Sequence, residues 1–212
     1  VQHATVVQYL KGVKDFYAQR GMTDFAAPGK WPHLHRMLKG IRRAKGGAVS
    51  RKAPITPAML AGYKHRLQLD TPADAALWAC LLVTFFGFFR KGNTTAKTDA
   101  VQEAKLILMS DIEVDAKRYC LRIRVRATKT IQFGEKDLVV WVQGLPGHVL
   151  DPVEAWERHV RLSQPTPASA AFTYLADSVI RFAKVSYDKL VMAAKQMAAR
   201  VGVDPSMVSG HI

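Results

Sequence analysis

Acidic side chains are scarce in this sequence. Seventeen Asp and Glu stand against 31 Lys and Arg, a formal net charge of +14. So large an excess calls for an anionic partner, with nucleic acid the commonest and a ribosomal or membrane surface the alternatives. Cysteine is nearly absent. Cys80 and Cys120 lie in apolar or strand-like contexts that suggest neither a disulfide framework nor a zinc site, in keeping with a reducing cytosol or nucleus. A bilayer-spanning run is missing too. Residues 75–89 carry no charge, yet 15 residues fall short of the roughly 20 that cross a membrane. The stretch VQHATVVQYL lacks the charged and apolar regions of a signal peptide. No membrane partner is expected, and the nucleus or cytoplasm is the expected location.

The familiar enzyme signatures are also lacking. There is no P-loop, no G-x-G-x-x-G, no H-E-x-x-H and no G-x-S-x-G. The acids are too scattered to support a two-metal carboxylate site. His33 and His35 are two apart on a helical stretch and so point to different faces, an unsuitable metal pair.

What remains is a globular composition, 49% hydrophobic and 23% charged, long enough for one ordinary domain and a smaller one. Val6, Leu10, Val13 and Tyr17 recur at helical spacing over 4–20, and Gly21 closes that helix. A second helix over 31–44 buries Leu34, Leu38 and Ile41 and turns Arg36, Lys39 and Arg43 to another face. From Lys30 to Lys52 there are eight Lys or Arg and no acid. Residues 1–48 therefore read as a small basic helical unit, and 49–56, following Gly46-Gly47 and reaching Pro54, as a linker.

Beyond the linker, Thr56-Pro57, Thr71-Pro72 with Asp74, and Asp151-Pro152 with Glu154 each announce a capped helix, over 57–68, 72–88 and 152–163. The last two place an acid at the third helical position, as a capping box does. Three strands are predicted: KLILM (105–109), RYCLRIRVR (118–126) and DLVVWV (137–142). In the second, Leu121, Ile123 and Val125 alternate with Arg122, Arg124 and Arg126. ATKTIQFGEK is the hairpin loop between the second and third, with Gly134 near its tip. A last helix spans 187–201, with Leu190, Ala194, Met197 and Val201 on one face, and Gly202 ends it. The fold class is mainly α with an α+β second part, 57–212, around a three-stranded antiparallel sheet.

Three residues stand out for chemistry. Arg90 ends the apolar helix in LLVTFFGFFRKGN, Lys129 lies in the hairpin, and His211 follows a Ser-Gly turn. Each has an ordinary explanation. Arg90 pairs with Asp70, Asp74 or Asp99, Lys129 is a solvated loop lysine, and His211 is a loop histidine. A guanidinium on the rim of a core is costly unless an anion meets it, so one must be supplied.

The order helix–Arg, strand–Lys–strand, helix–Gly-His resembles the tyrosine recombinase (phage integrase) family. The resemblance is carried by FFGFFRKGN, RATKTIQFGE, LDPVEAW and VSGHI, with TVVQYLKGVKDFYAQRG and PHLHRMLKGIRRAKG upstream and RKAPITPAML between. It covers essentially the whole chain in order and looks closest to recombinases of eukaryotic mobile elements. It implies a core-binding (SAM-like) domain over 1–48, incomplete at its N-terminal side, and a catalytic domain over 57–212, incomplete at its C-terminal side. The chain begins with valine and ends on Gly-His-Ile with no polar tail, which reads as a fragment.

The resemblance further implies that Arg90 binds the scissile phosphate, a task suited to a planar and permanently charged fork. Lys129 would protonate the departing 5′ oxygen, and His211 would begin the family's H-x-x-R box. Neither metal nor nucleotide cofactor is implied. The partner is duplex DNA, on which the family assembles four protomers. Arg36, Lys39, Arg42, Arg43, Lys45, Arg51 and Lys52 are the expected phosphate contacts, which position a duplex without specifying sequence.

Two departures matter. The position three after Arg90, commonly acidic in the family, is Asn93. The second arginine and the nucleophilic tyrosine of the family are not among these 212 residues, because all six tyrosines precede His211. Tyr187 opens a helix with a core stripe and reads as structural. The expected function is therefore the DNA-binding part of a strand-exchange enzyme, inactive in covalent chemistry as it stands. A non-catalytic duplex-DNA-binding remnant and a basic RNA-binding structural protein are the alternatives. RYCLRIRVR matches an RNP strand poorly, and no GXXG loop of the KH type is apparent.

Overall fold

The computed structural model describes residues 2–22, 31–45, 52–95, 105–126, 138–176 and 181–208. Among them are seven α-helices and five strands, and the chain divides into two compact units, Val1–Ser50 and Arg51–Ile212. Arg51, Asp99, Lys129, Gly134, the hairpin loop and His211 lie outside the described residues.

The first unit holds α1 (His3–Ala18) and α2 (Pro32–Lys45), packed on each other. Val6, Leu10 and Tyr17 of α1 and Leu34, Leu38 and Ile41 of α2 are half-buried, as the helical spacing predicts. Gly21 adopts φ +78°, the left-handed geometry that closes a helix without a Cβ penalty. Val13 is exposed, contrary to its place in the apolar series. Neither helix contains a fully buried residue.

The second unit is mixed. Its centre is α4 (Pro72–Phe86), in which every residue from Ala75 to Thr84 is buried. That helix shows no amphipathic face because neighbours surround it: α6 (Pro152–Ser163), α7 (Tyr187–Arg200), β3 (Leu138–Gln143) and β4 (Thr173–Ala176) all pack on it. α3 (Pro57–Lys64) packs on α7 and is shorter than the predicted 57–68. No helix among the described residues is long and apolar enough to cross a membrane.

The caps form as predicted. Thr56 Oγ1 accepts the Met59 N–H at 3.3 Å, and Thr71 Oγ1 that of Asp74 at 3.4 Å. Asp151 accepts from Val153 and Glu154 at 2.9 and 3.4 Å. The acids at the third positions do not reach back to their caps. Asp74 instead accepts the Gln68 N–H at 2.9 Å, and Glu154 pairs with Arg158 at 2.9 Å, an i,i+4 contact.

The antiparallel sheet runs β1-β2-β3, with β1 at Ile112–Asp115 and β2 at Cys120–Val125. Its first strand is not KLILM. That segment forms no ladder: Leu108 makes one isolated antiparallel bridge to Ala170 and Met109 opens a 3-10 turn, while Leu106 and Ile107 are buried, the Ile107 N–H donates to the Asn93 carbonyl, and the Ile107 carbonyl accepts from Ala171. An apolar run buried on both sides carries no alternation, whereas the half-polar IEVD has one face free for the edge of a sheet. In β2 the alternation holds, with Leu121, Ile123 and Val125 buried and the arginines outward. A second sheet, beyond the three predicted strands, pairs β4 with β5 (Arg181–Lys184).

Candidate nucleic-acid interface

The sequence places Arg90 at the end of the apolar helix, but α4 stops at Phe86. The Phe89 N–H donates to the Thr84 carbonyl at 3.0 Å and the Phe88 N–H to that of Phe85 at 3.3 Å. These are the 6→1 and 5→2 bonds of a Schellman motif. The residue in its left-handed position is Phe88, at φ +52°, where glycine is usual. Glycine stands one residue earlier for a different reason. A Cβ on Gly87 would collide with the Phe89 ring and lie 2.8 Å from the Val83 carbonyl oxygen. Phe89 folds back and is buried, leaving Phe88 and Arg90 exposed on either side of it. The arginine thus sits on the outside of the core, not within it.

Arg90 is the N-terminal flank of a single helical turn, α5 (Lys91–Thr94), which is stapled from three directions. From α4, Thr84 donates to Thr94 at 3.0 Å, and Thr94 donates on to the Lys91 carbonyl at 3.4 Å. From the 105–107 segment, the Lys105 carbonyl accepts from the Asn93 side-chain amide at 3.1 Å. From α7, the Tyr187 hydroxyl accepts from Lys91, whose ammonium also lies 4.0 Å from the tyrosine ring centroid. The Thr95 hydroxyl and N–H both donate to the Lys91 carbonyl, at 2.7 and 2.8 Å. A loop residue is positioned accurately when its supports are this closely bonded.

Asn93 is buried and uses its amide as a donor. A carboxylate there could not donate to the Lys105 carbonyl, so the departure from an acid at this position is accommodated by the local frame. The anticipated ion pair between Arg90 and Asp70 or Asp74 is not formed, and no carboxylate meets Arg90 among the described residues. Lys91, which the sequence reading passed over, adds a second cation beside it. On α7, Lys189 donates to the Tyr174 hydroxyl at 2.7 Å. Both lysines thus rest on tyrosine hydroxyls rather than on carboxylates.

The outward arginines of β2, with Arg126 just after it, are partly consumed. Arg122 pairs with Glu113 across the strands at 2.8 Å. Arg126 Nε donates to both oxygens of Asp111 at 2.9 Å, and that buried carboxylate also accepts the Leu108 N–H at 2.9 Å. This bonded carboxylate anchors the approach to β1.

Other ionisable groups serve the fold. Burial pushes the Cys80 thiol up to about 12, so it stays protonated and is no nucleophile. The Tyr119 phenol donates to Asp151 at 2.6 Å, and that bond holds it up at about 12. His159 is fully buried, and burial lowers its pKa. Its Nε2 must carry the proton, because its partner at 2.9 Å is the Ala171 carbonyl.

In the first unit, Arg36, Lys39, Arg42, Arg43 and Lys45 are all exposed. Arg36, Lys39 and Arg43 recur at helical spacing on the face opposite Leu34, Leu38 and Ile41. Lys52, in the second unit, is exposed and donates to the Ser206 carbonyl at 2.7 Å. A scan against protein-family models gives no match for this chain, and a search of curated proteins gives none either.

Proposed function

We propose that this chain binds duplex DNA through phosphate contacts, and that its second unit carries the phosphate-binding part of a tyrosine-recombinase-type site with Arg90 at its centre. The observation that carries this reading is the state of Arg90: an exposed guanidinium with no acid partner among the described residues, on a turn held by α4, α7 and the 105–107 segment. A guanidinium fork on a braced turn, beside a second cation, suits two phosphate oxygens. The net charge of +14 and the exposed cations of α2 add sequence-independent attraction. Lys129 and His211 belong to this reading through the family resemblance alone, as proton donor and phosphate ligand.

The test is binding of a labelled 30-base-pair duplex across a salt series. Affinity should fall steeply with salt. Arg90→Ala should weaken binding and reduce the slope of log K against log salt by about one. Preference for single-stranded RNA over duplex DNA, or an unchanged slope in Arg90→Ala, would overturn the proposal. No covalent DNA adduct is expected from this 212-residue polypeptide. All six of its tyrosines precede His211, whereas the nucleophile of the family it resembles follows that histidine. An adduct surviving denaturation and protease digestion would contradict this.

A further inference from the structure

Phe88 is 91% exposed, the most exposed of the large apolar side chains described. It also occupies the left-handed position of the Schellman motif that ends α4, at φ +52°. Glycine adopts that geometry freely, and a residue with a Cβ does so at a cost. A strained residue is usually compensated by burial of its side chain, but Phe88 buries almost nothing. Neither the helix nor the core therefore accounts for an aromatic side chain here. Phe89 is tucked into the core, while Phe88 and Arg90 on either side of it, two residues apart in the chain, are both exposed. Two residues of chain span at most about 7 Å, so the two groups fall within reach of one nucleotide and its neighbour.

We propose that Phe88 is a stacking contact for a nucleobase next to the phosphate bound at Arg90, so that this rim takes a strand whose base is locally unstacked. The inference rests on the phosphate-binding reading of Arg90 and deepens it. Charge complementarity decides the occupant. The ring is flanked by Arg90 and then Lys91, an arrangement of aromatic face and cations that matches a base and its phosphates. A second copy of this chain, with the same +14 charge, would bring like charges together at the same place.

The experiment compares two single-stranded probes of equal length and phosphate number, an oligothymidylate 12-mer and its abasic counterpart, on the whole chain. Phe88→Gly should weaken oligothymidylate binding about tenfold and leave the abasic probe unchanged, because one base stack is lost and no charge is. Phe88→Trp should restore base-dependent binding. Arg90→Gln should weaken both probes alike. Phe88→Gly should also raise the unfolding temperature, since glycine relieves the left-handed strain. Equal loss on both probes, or no loss on either, while Arg90→Gln still weakens both, overturns the stacking role alone. Absence of salt-dependent binding to any probe overturns it together with the phosphate reading. Concentration-dependent dimerisation that Phe88→Gly abolishes would assign the ring to self-association and also overturn it.

Discussion

At position 159 a histidine sits with no exposed surface, its ring edge to face with Trp156 and stacked near Phe172. Its Nδ1 accepts from the Ser163 hydroxyl at 3.1 Å while Nε2–H donates to the Ala171 carbonyl. Both ring nitrogens are satisfied in the neutral form, and burial penalises the charged one. The folded pKa is lowered by burial, so below about 6.5 the unfolded chain takes up a proton that the fold refuses. This contribution is complete above that pH and is lost as pH falls. The unfolding temperature should therefore decline between pH 7.5 and 5.5, and His159→Gln should flatten that decline. Equal slopes in thermal melts of the two proteins would exclude His159 as the cause. Nothing in LDPVEAWERHV marks this histidine as buried, because its partners Ala171 and Phe172 come from a segment more than ten residues away.

At the scale of elements, the exit from α4 decides what Arg90 can do. Gly87 permits the close approach of Phe89 to the helix end, and Phe89 in turn fixes where the chain re-emerges at Arg90. Gly87→Ala forces a methyl group against that ring and the Val83 carbonyl. A loss of about 1–3 kcal/mol in folding stability is expected, measurable by urea denaturation, with weaker DNA binding as the arginine shifts. A variant with wild-type stability and affinity would show that the approach is not required. The sequence announces the glycine and the arginine, but the reading of a helix continuing to 88 misses the reversal between them. Phe at a left-handed position is a choice that residue preferences argue against, and the buried Phe89 enforces it. The strand reading fails for a related reason. KLILM and IEVD are both short, and only the neighbouring β2 selects which of them pairs, through Glu113 with Arg122 and Ile112 with Ile123.

At the scale of the molecule, the two units differ in how they are stabilised. The second has a continuous core from Ile55 to Val208 built around α4. In the first, neither helix buries a residue fully, and Tyr9, Phe16, Trp31 and Met37 are largely exposed. Helices of 16 and 14 residues with so little burial are marginal in water. A peptide of residues 1–50 should show weak, non-cooperative helicity by circular dichroism, increasing on addition of duplex DNA as the cations of α2 are neutralised. A sharp cooperative melt of the free peptide would contradict this.

The sequence by itself determined the basic charge, the capped helix starts at Thr56, Thr71 and Asp151, the apolar centre at α4 and the alternation of β2. These depend on local chemistry: side chains that cap their own backbone, and periodicities of 3.6 and 2. Only the tertiary structure decided that Arg90 stands exposed without a carboxylate among the described residues, that Asn93 donates to Lys105, that Lys91 meets Tyr187 and that Arg126 is committed to Asp111. Each of these joins residues from different elements. Whether a cation is free for a phosphate depends on which acid the fold brings near it, and that is a property of packing in three dimensions rather than of neighbours along the chain.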